Sequence, residues 1–393
     1  PGRYRAAAQP APAAAIENAL QMLRTARAPI LLAGEGVQRS RAQGAFAELA
    51  HRLKCPVLTT LGGAGAFPET EAQWLRYMGK AGGEAIAASD LLLAVGTCLP
   101  ETANYGRLQN FAVNDEGRQV ILVEPDAAAV GVNRPVDLAL IGQVDLVLAQ
   151  LLEAVGDGSA FKEHAELDKW RNASKAEDKA LTDNLPRSNR LHPGHLMLEA
   201  RRAVPEDAVI VVDGGLTMLY QYAFFEKRSS EFIYTANFGH LGSGIGLAIG
   251  AQLAAGRTRP VFLITGDGAL GFHIMDFETA VRHRLPIVIV LNDDQALGAE
   301  MAQHMQHIGH EIQVAFSPVN YAAMAEAMGG FGIRVERRED IAAAIEDAFG
   351  QAAAHNKPAI VQVSTDQDAS HTYPVPYVGE LAGWKEADVL ARI

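Results

Sequence analysis

Apolar and polar positions along this chain fall into blocks of two kinds. Short continuous apolar runs end in glycine or acidic residues, and between them lie longer stretches whose apolar residues recur at helical spacing. Residues 13–26 carry Ile16, Leu20 and Leu23 on one stripe, and Pro29 closes that helix. A strand over 30–33 runs into Gly34-Glu35-Gly36. The alternation continues with a helix over 45–53, a strand over 56–60, a helix over 81–89 and a strand over 91–95. A strand over 120–123 meets Glu124-Pro125-Asp126, and 138–141 leads through Gly142 to a helix over 144–155. Strands alternating with helices in this order predict a parallel, doubly wound sheet.

The rhythm returns after a charged, broken stretch over 161–195, which predicts a helix or two with a solvated face. A helix over 196–204 and a strand over 208–212 end in Asp213-Gly214-Gly215-Leu216-Thr217 and a further helix. The run 236–246, ANFGHLGSGIG, then enters a small-residue helix reaching Ala254. A strand over 261–265 is broken by Gly266-Asp267-Gly268, after which Phe272, Met275, Phe277 and Val281 predict a helix. Pro286 opens a strand over 287–291, which ends in Asn292-Asp293-Asp294. Helices over 300–313, 322–328 and 341–354 and strands over 333–335 and 359–363 complete the pattern. The expected fold is therefore α/β, with two doubly wound parallel-sheet domains and helices on both faces. The boundaries are a linker over 1–12, a central Rossmann-like domain over 13–155, a connector over 156–192 and a second domain over 193–369. A tail over 370–393 is expected to act as a lid or to pack on a neighbour.

Composition narrows this picture. Of 393 residues 49% are hydrophobic and 20% charged, which describes a globular chain. The net charge of -12 argues against a nucleic-acid partner, and no apolar run has the length of a membrane span. The first residues are small and Pro-rich without a hydrophobic signal core. A chain that opens in a linker, without Met, suggests that something precedes it. Cys55 and Cys98 make no disulfide framework and lack metal-ligand spacing, so a cytoplasmic setting is expected.

The candidate chemistry lies in the turns. In a parallel βαβ unit, GDG and NDD sit at the carboxyl ends of neighbouring strands, where open α/β sheets bind ligands. Asp267 and Asp294 can converge there on a hard cation. Gly268 and Ala269 would leave helix N-terminal amides free for a phosphate, and the turn at 213–217 offers the same. Taken singly, such turns are also ordinary strand endings. Glycines in the 239–250 run mark close backbone approach, and for Gly246 and Gly250 tight helix–sheet packing suffices. His304, His307 and His310 drift round a helix, and solvent exposure is their default. Gly34-Glu35-Gly36 begins like a dinucleotide fingerprint, but Arg39 stands where the last glycine belongs.

Together, GDG with Asp294 at a fixed interval, DGG at 213–215 and GHLG at 239–242 resemble the motifs of thiamin-diphosphate enzymes. From about Ala13 to Gln367 the chain resembles the central and diphosphate-binding domains of the acetolactate synthase and benzaldehyde lyase group. DGGLT, GAQ at 250–252 and Asp294-Gln295 before Gly298-Ala299 are most similar to benzaldehyde lyases, and 300–306 lacks the Trp usual in acetolactate synthases. The resemblance implies thiamin diphosphate and Mg²⁺, with Asp267, Asp294 and the Ala296 carbonyl as metal ligands. Most of the family carries Asn where Asp294 stands. Cofactor contacts fall on Gly214, Gly215, Leu216, Gly239, Leu241, Gly266, Gly268, Ala269 and Asp294. The Gly239 carbonyl would accept the aminopyrimidine proton, and Leu241 would hold the cofactor bent so that proton removal is intramolecular.

His240, Leu297 and Ala299 would face the substrate, and His240 is the one candidate catalytic side chain. The central domain is expected to be scaffold, without FAD or ADP. The family's pyrimidine-binding domain, which carries its catalytic glutamate, has no counterpart in this chain. A second chain is therefore expected to supply it, in an α₂β₂ assembly acting on a small carbonyl compound. The implied activity is that of a lyase or carboligase. Acetolactate-type synthesis, 2-keto acid decarboxylation and a non-catalytic nucleotide-binding regulatory or scaffold subunit are the alternatives.

Overall fold

Twelve strands form the framework among the described residues, in two sheets of six. In this computed structural model those residues are 7–77, 79–99, 117–187, 190–228, 231–234 and 239–372. The chain divides between Ala180 and Leu181 into two compact units.

In the first unit the strands are β1 (Pro29–Ala33), β2 (Val57–Thr59), β3 (Trp74–Leu75), β4 (Leu91–Val95), β5 (Gln119–Glu124) and β6 (Leu138–Ile141). They lie in the order β3-β2-β1-β4-β5-β6, and every pairing is parallel. All of β4 is buried, because helices cover both faces; that is why such strands read as unbroken apolar runs. Helices Ala13–Thr25, Gln43–Leu53 and Val144–Val155 bring Ile16, Leu23, Phe46, Leu49 and Leu148 against Leu31, Leu93 and Ile121. Ile30, Leu32, Leu92 and Leu122 belong to a second core with Tyr77 and Ile86.

The charged connector does more than present a solvated face. Its helix, Leu167–Asp183, buries Trp170 with Leu75, Ala81 and Ala85. Asp178 accepts from the Arg76 guanidinium at 2.7 and 3.0 Å. Glu177 accepts the amide N–H groups of Lys80 and Ala81, each at 3.0 Å, at the start of helix Lys80–Ala88.

In the second unit β7 (Val209–Val212), β8 (Phe232–Tyr234), β9 (Val261–Gly266), β10 (Ile287–Asp293), β11 (Phe331–Val335) and β12 (Ala359–Ser364) lie in the order β11-β12-β10-β9-β7-β8. Again every pairing is parallel. β8 lies outside β7 on one side, whereas β9, β10 and β12 extend the other. The winding therefore reverses between β7 and β9.

Several elements differ from the sequence expectation. The helix after β9 is two, Asp267–His273 and Asp276–Arg282, because its apolar residues do not share a face. Leu270 and Phe277 enter the core while Phe272 is 61% and Met275 69% exposed. The helix expected over 300–313 is Gly298–Ile308, stopped by Gly309 in the left-handed region at φ +77°. Strands β3 and β8 and the helix Glu35–Arg39 are too short to have left a periodic signal. Of the expected features, 1–6 of the linker, 236–238 of the glycine-rich run and 373–393 of the tail lie outside the described residues. Among those residues no helix is long and apolar enough to cross a membrane.

Candidate functional site

Three strand ends meet where the second sheet reverses. β7 gives way to Asp213, β9 ends at Gly266 and β10 at Asp293, the arrangement that opens a crevice in a doubly wound sheet. β9 and β10 are in register there, Asn292 beside Gly266. Asn292 braces the ends. Its Nδ2 donates to Thr217 Oγ1 at 3.1 Å, and its Oδ1 accepts from Thr365 Oγ1 at 2.8 Å.

The cleft holds about 310 Å³ of space open to solvent, lined by 214–217, 266–269 and 296–300 with Leu241 and Asp294. It brings together Gly214, Gly215, Leu216, Leu241, Gly266, Asp267, Gly268, Ala269, Asp294, Ala296, Leu297 and Ala299, all singled out from the sequence. Gly239 and His240 are not in the lining. The Gly239 carbonyl oxygen lies 3.2 Å from where a Cβ on Gly214 would stand. His240 is exposed, its ring centroid 6.1 Å from that of His273.

Asp267 opens its helix with Oδ1 accepting the Gly268 N–H at 2.7 Å. Asp294 Oδ1 accepts the Ala296 N–H at 3.3 Å. The two buried carboxyl groups face each other. Burial pushes both above the usual carboxylate range, and the facing Asp294 pushes Asp267 further. Asp293 is also raised by burial, against a hydrogen bond from Gln362 Nε2 at 2.7 Å.

The turn between Asp294 and Ala296 is held from outside. Gln295 is left-handed, at φ +58°, and its carbonyl accepts from the Phe316 amide at 2.6 Å and Gln367 Nε2 at 2.9 Å. The Leu297 amide donates to the Val314 carbonyl at 2.9 Å. Tyr321 Oη donates to the Asp267 carbonyl at 3.4 Å, and burial pushes its phenol up to about 12.

These residues fit a metal–diphosphate pair. Mg²⁺ is ordinarily held by one or two carboxylates and a ligand's phosphates, with waters. Asp267 and Asp294 would supply the two carboxylates, and a cation between two buried, facing acids would relieve their mutual repulsion. The cradle is equally tight: a Cβ on Gly266 would lie 2.8 Å from Thr217 Oγ1, and one on Gly268 2.8 Å from Leu297 Cδ2. Among the described residues no group of three or more His, Cys, Asp or Glu side chains could hold a metal, His304, His307 and His310 included.

Two expectations need correction. The Gly268 amide is not free for a phosphate, because Asp267 Oδ1 accepts its N–H. Nor is that of Gly214, which donates to Asp213 Oδ1 at 2.8 Å. In the first unit the Gly34-Glu35-Gly36 turn is explained by packing. Gly36 donates to the Gly96 carbonyl at 2.9 Å, and a Cβ on Gly34 would lie 2.4 Å from that oxygen.

The sequence named the 213–217 turn and Gly298 within motifs but gave no site role of their own to Thr217, Gly298 and Glu300, which also line the cleft, or to the Asp213 side chain beneath it. The polar Thr217, second residue of a helix that starts after a glycine pair, was the available signal. Burial, which leaves Asp213 1% exposed, pushes its carboxyl upward despite the N–H groups it accepts.

The C-terminal TPP-binding domain of thiamine pyrophosphate enzymes matches residues 213–363, and the central domain of the same enzymes matches 16–151. The acetolactate synthase large subunit of Cyanidium caldarium is 29% identical over 340 residues, covering 84% of this chain and 57% of that protein. That of Haemophilus influenzae is 26% identical over 374 residues, 93% of this chain and 63% of the relative. The sulfoacetaldehyde acetyltransferase of Alcaligenes xylosoxydans xylosoxydans is 26% identical over 382 residues, 89% and 62%. The chain thus spans about three fifths of the length of these relatives.

Proposed function

The chain belongs to the thiamine pyrophosphate enzyme family, and from that premise we propose that it is the metal- and diphosphate-holding part of an enzyme acting on a carbon–carbon bond beside a carbonyl. The observation that carries this reading is the meeting of buried Asp267 and Asp294 with the glycine turns after β7 and β9 in one cleft. The substrate class is a ketone, 2-hydroxyketone or 2-keto acid. The relatives' names favour the acetolactate-synthase or acetyl-transfer type over simple cleavage.

Thiamin diphosphate, when bound, supplies a nucleophilic carbon for the carbonyl and a sink for the electrons of the broken bond. The chain's own residues bind and orient. Asp267 and Asp294 with the Ala296 carbonyl would hold Mg²⁺ and so offset the diphosphate charge. Leu241 stands at the turn after β7, its Cδ2 3.0 Å from the Cβ position of Gly214, and gives the cleft an apolar wall that excludes water. Leu297, Ala299 and Glu300 form the substrate side. The acid for the pyrimidine ring comes, in this reading, from a second polypeptide in an α₂β₂ assembly. Two cysteines with no disulfide between them agree with a cytoplasmic setting.

Titration calorimetry of the 393-residue chain with thiamin diphosphate at fixed Mg²⁺ tests the assignment. Saturable binding is expected, lost on chelation and absent in Asp267→Ala, where an unneutralised diphosphate would face the remaining carboxylate. Parental affinity in that variant would refute the metal assignment.

A further inference from the structure

Asp213 follows β7 just beneath the cleft and is not part of its lining. Backbone amides and one hydroxyl surround its carboxylate. Oδ1 accepts the amide N–H groups of Gly214 at 2.8 Å and Gly242 at 3.1 Å. Oδ2 accepts from Thr265 Oγ1 at 3.3 Å, and the Gly244 amide donates as well. These donors belong to three segments distant in sequence: the turn after β7, the loop over 239–244 and the end of β9. The three amide N–H groups need acceptor lone pairs on both oxygens, which a carboxylate has and a side-chain amide lacks, whereas the Thr265 hydroxyl can turn to the Gly266 carbonyl at 3.3 Å.

The surrounding backbone is shaped for this group. Gly242 is left-handed at φ +88°, and a Cβ on Gly244 would lie 2.7 Å from Asp213 Oδ2. Leu241 directly precedes Gly242, and its Cδ2 lies 3.0 Å from the Cβ position of Gly214 and 3.4 Å from that of Gly215. The carboxylate therefore joins, through two amides on one oxygen, the loop that carries Leu241 and the turn that Leu241 touches.

We propose that Asp213 is a positioning residue of the cofactor cleft, whose carboxylate fixes the 239–244 loop on the turn after β7 and so sets where Leu241 stands. The inference rests on the reading of the cleft as a thiamin diphosphate site. Its role differs from that of Asp267 and Asp294, since Asp213 acts on the protein's own backbone and not on the metal. In Asp213→Asn one end of the side chain becomes an N–H donor, which Thr265 Oγ1 can accept but the Gly244 amide cannot. The amide oxygen can keep Gly214 and Gly242, or turn to Gly244, but not both.

Two measurements on the full chain test this. Hydrogen exchange without cofactor is expected to be about tenfold faster over 239–246 in Asp213→Asn, with β9 and β10 unchanged. A merely structural role would speed exchange throughout the sheet or nowhere. Calorimetry with thiamin diphosphate and Mg²⁺ should show about tenfold weaker binding in Asp213→Asn, and little further loss when it is combined with Leu241→Ala. Should Asp213→Asn fail to fold, Gly244→Ala, which crowds the same carboxylate from the helix side, is expected to give both effects.

Unchanged exchange over 239–246 overturns the strut, and additive losses in the double variant overturn its action through Leu241. A parent that binds thiamin diphosphate alongside a variant that binds it equally well refutes the inference alone. A parent that does not bind it removes the reading of the cleft as well.

Discussion

His192 is 2% exposed at the head of helix Pro193–Ala203, where its Nδ1 accepts the Gly194 N–H at 3.0 Å. The Tyr220 and Phe224 rings stand edge-on to it, at 5.4 and 6.4 Å between centroids. Burial first, then the charge of neighbouring His195, push its pKa down to about 4, against a smaller opposing effect of Asp366. Protonation would also take the lone pair that caps the helix. The fold therefore favours the neutral ring. This contribution is complete above the unfolded value near 6.5, and it is lost as pH falls from there towards 4. The expected loss is about 2–3 kcal/mol. Urea unfolding at pH 7 and 4.5 measures it, and His192→Asn, which can still cap, should remove most of the difference. An equal pH dependence in that variant would put the effect elsewhere.

At the same scale, Asp267, Asp294 and the glycine turns were legible because their spacing is local to strand ends. Asp213 and Thr217 were not. Their meaning depends on partners 29 and 75 residues away, Gly242 and Asn292, which no local pattern encodes.

Among elements, long buried strands announced themselves: β4 and helix Val144–Val155 lie where the apolar pattern put them, since both are buried against neighbours on a regular period. The pattern failed where exposure broke the period. Phe272 and Met275 extended an apparent stripe across a turn, and they face solvent. It also failed at β3 and β8, two and three residues long, which are defined by pairing with β2 and β7.

Close packing of elements was readable only as scattered glycines. Gly332 in β11 shows what one of them does. A Cβ there would lie 2.0 Å from the Ala322 carbonyl oxygen, so the glycine lets helix Tyr321–Ala327 rest directly on the strand. That helix carries Tyr321, which donates to the Asp267 carbonyl. Gly332→Ala is expected to cost about 1–3 kcal/mol in urea unfolding, as overpacking does. A cost below about 0.5 kcal/mol, the range of ordinary surface substitutions, would mean that the helix is free to move away.

At the scale of the whole molecule, the two parallel-sheet units account for the central and C-terminal TPP domains and for about three fifths of the relatives' length. Our reading assigns the remaining chemistry to a second polypeptide. The 393-residue chain alone should show no turnover of a 2-keto acid such as pyruvate, with activity appearing on addition of a pyrimidine-binding domain. Native mass spectrometry of the active particle should find two copies of each chain. Full turnover by a particle made only of this chain would end that proposal.

The position of β10 governs the order in which the site can come into being. β10 carries Asp293 and leads into Asp294, and it lies between β9, made before it, and β12, made about seventy residues later. The Thr365 amide and the Gln367 side chain, still later, donate to the Asp293 and Gln295 carbonyls. On the ribosome, then, a nascent chain that has released the whole GDG–NDD stretch still presents β10 as an open apolar edge. The interval before β12 emerges is when this edge is most exposed to wrong partners. The turn after β10 thus depends on a strand and side chains made after it, although its residues lie in the middle of their unit.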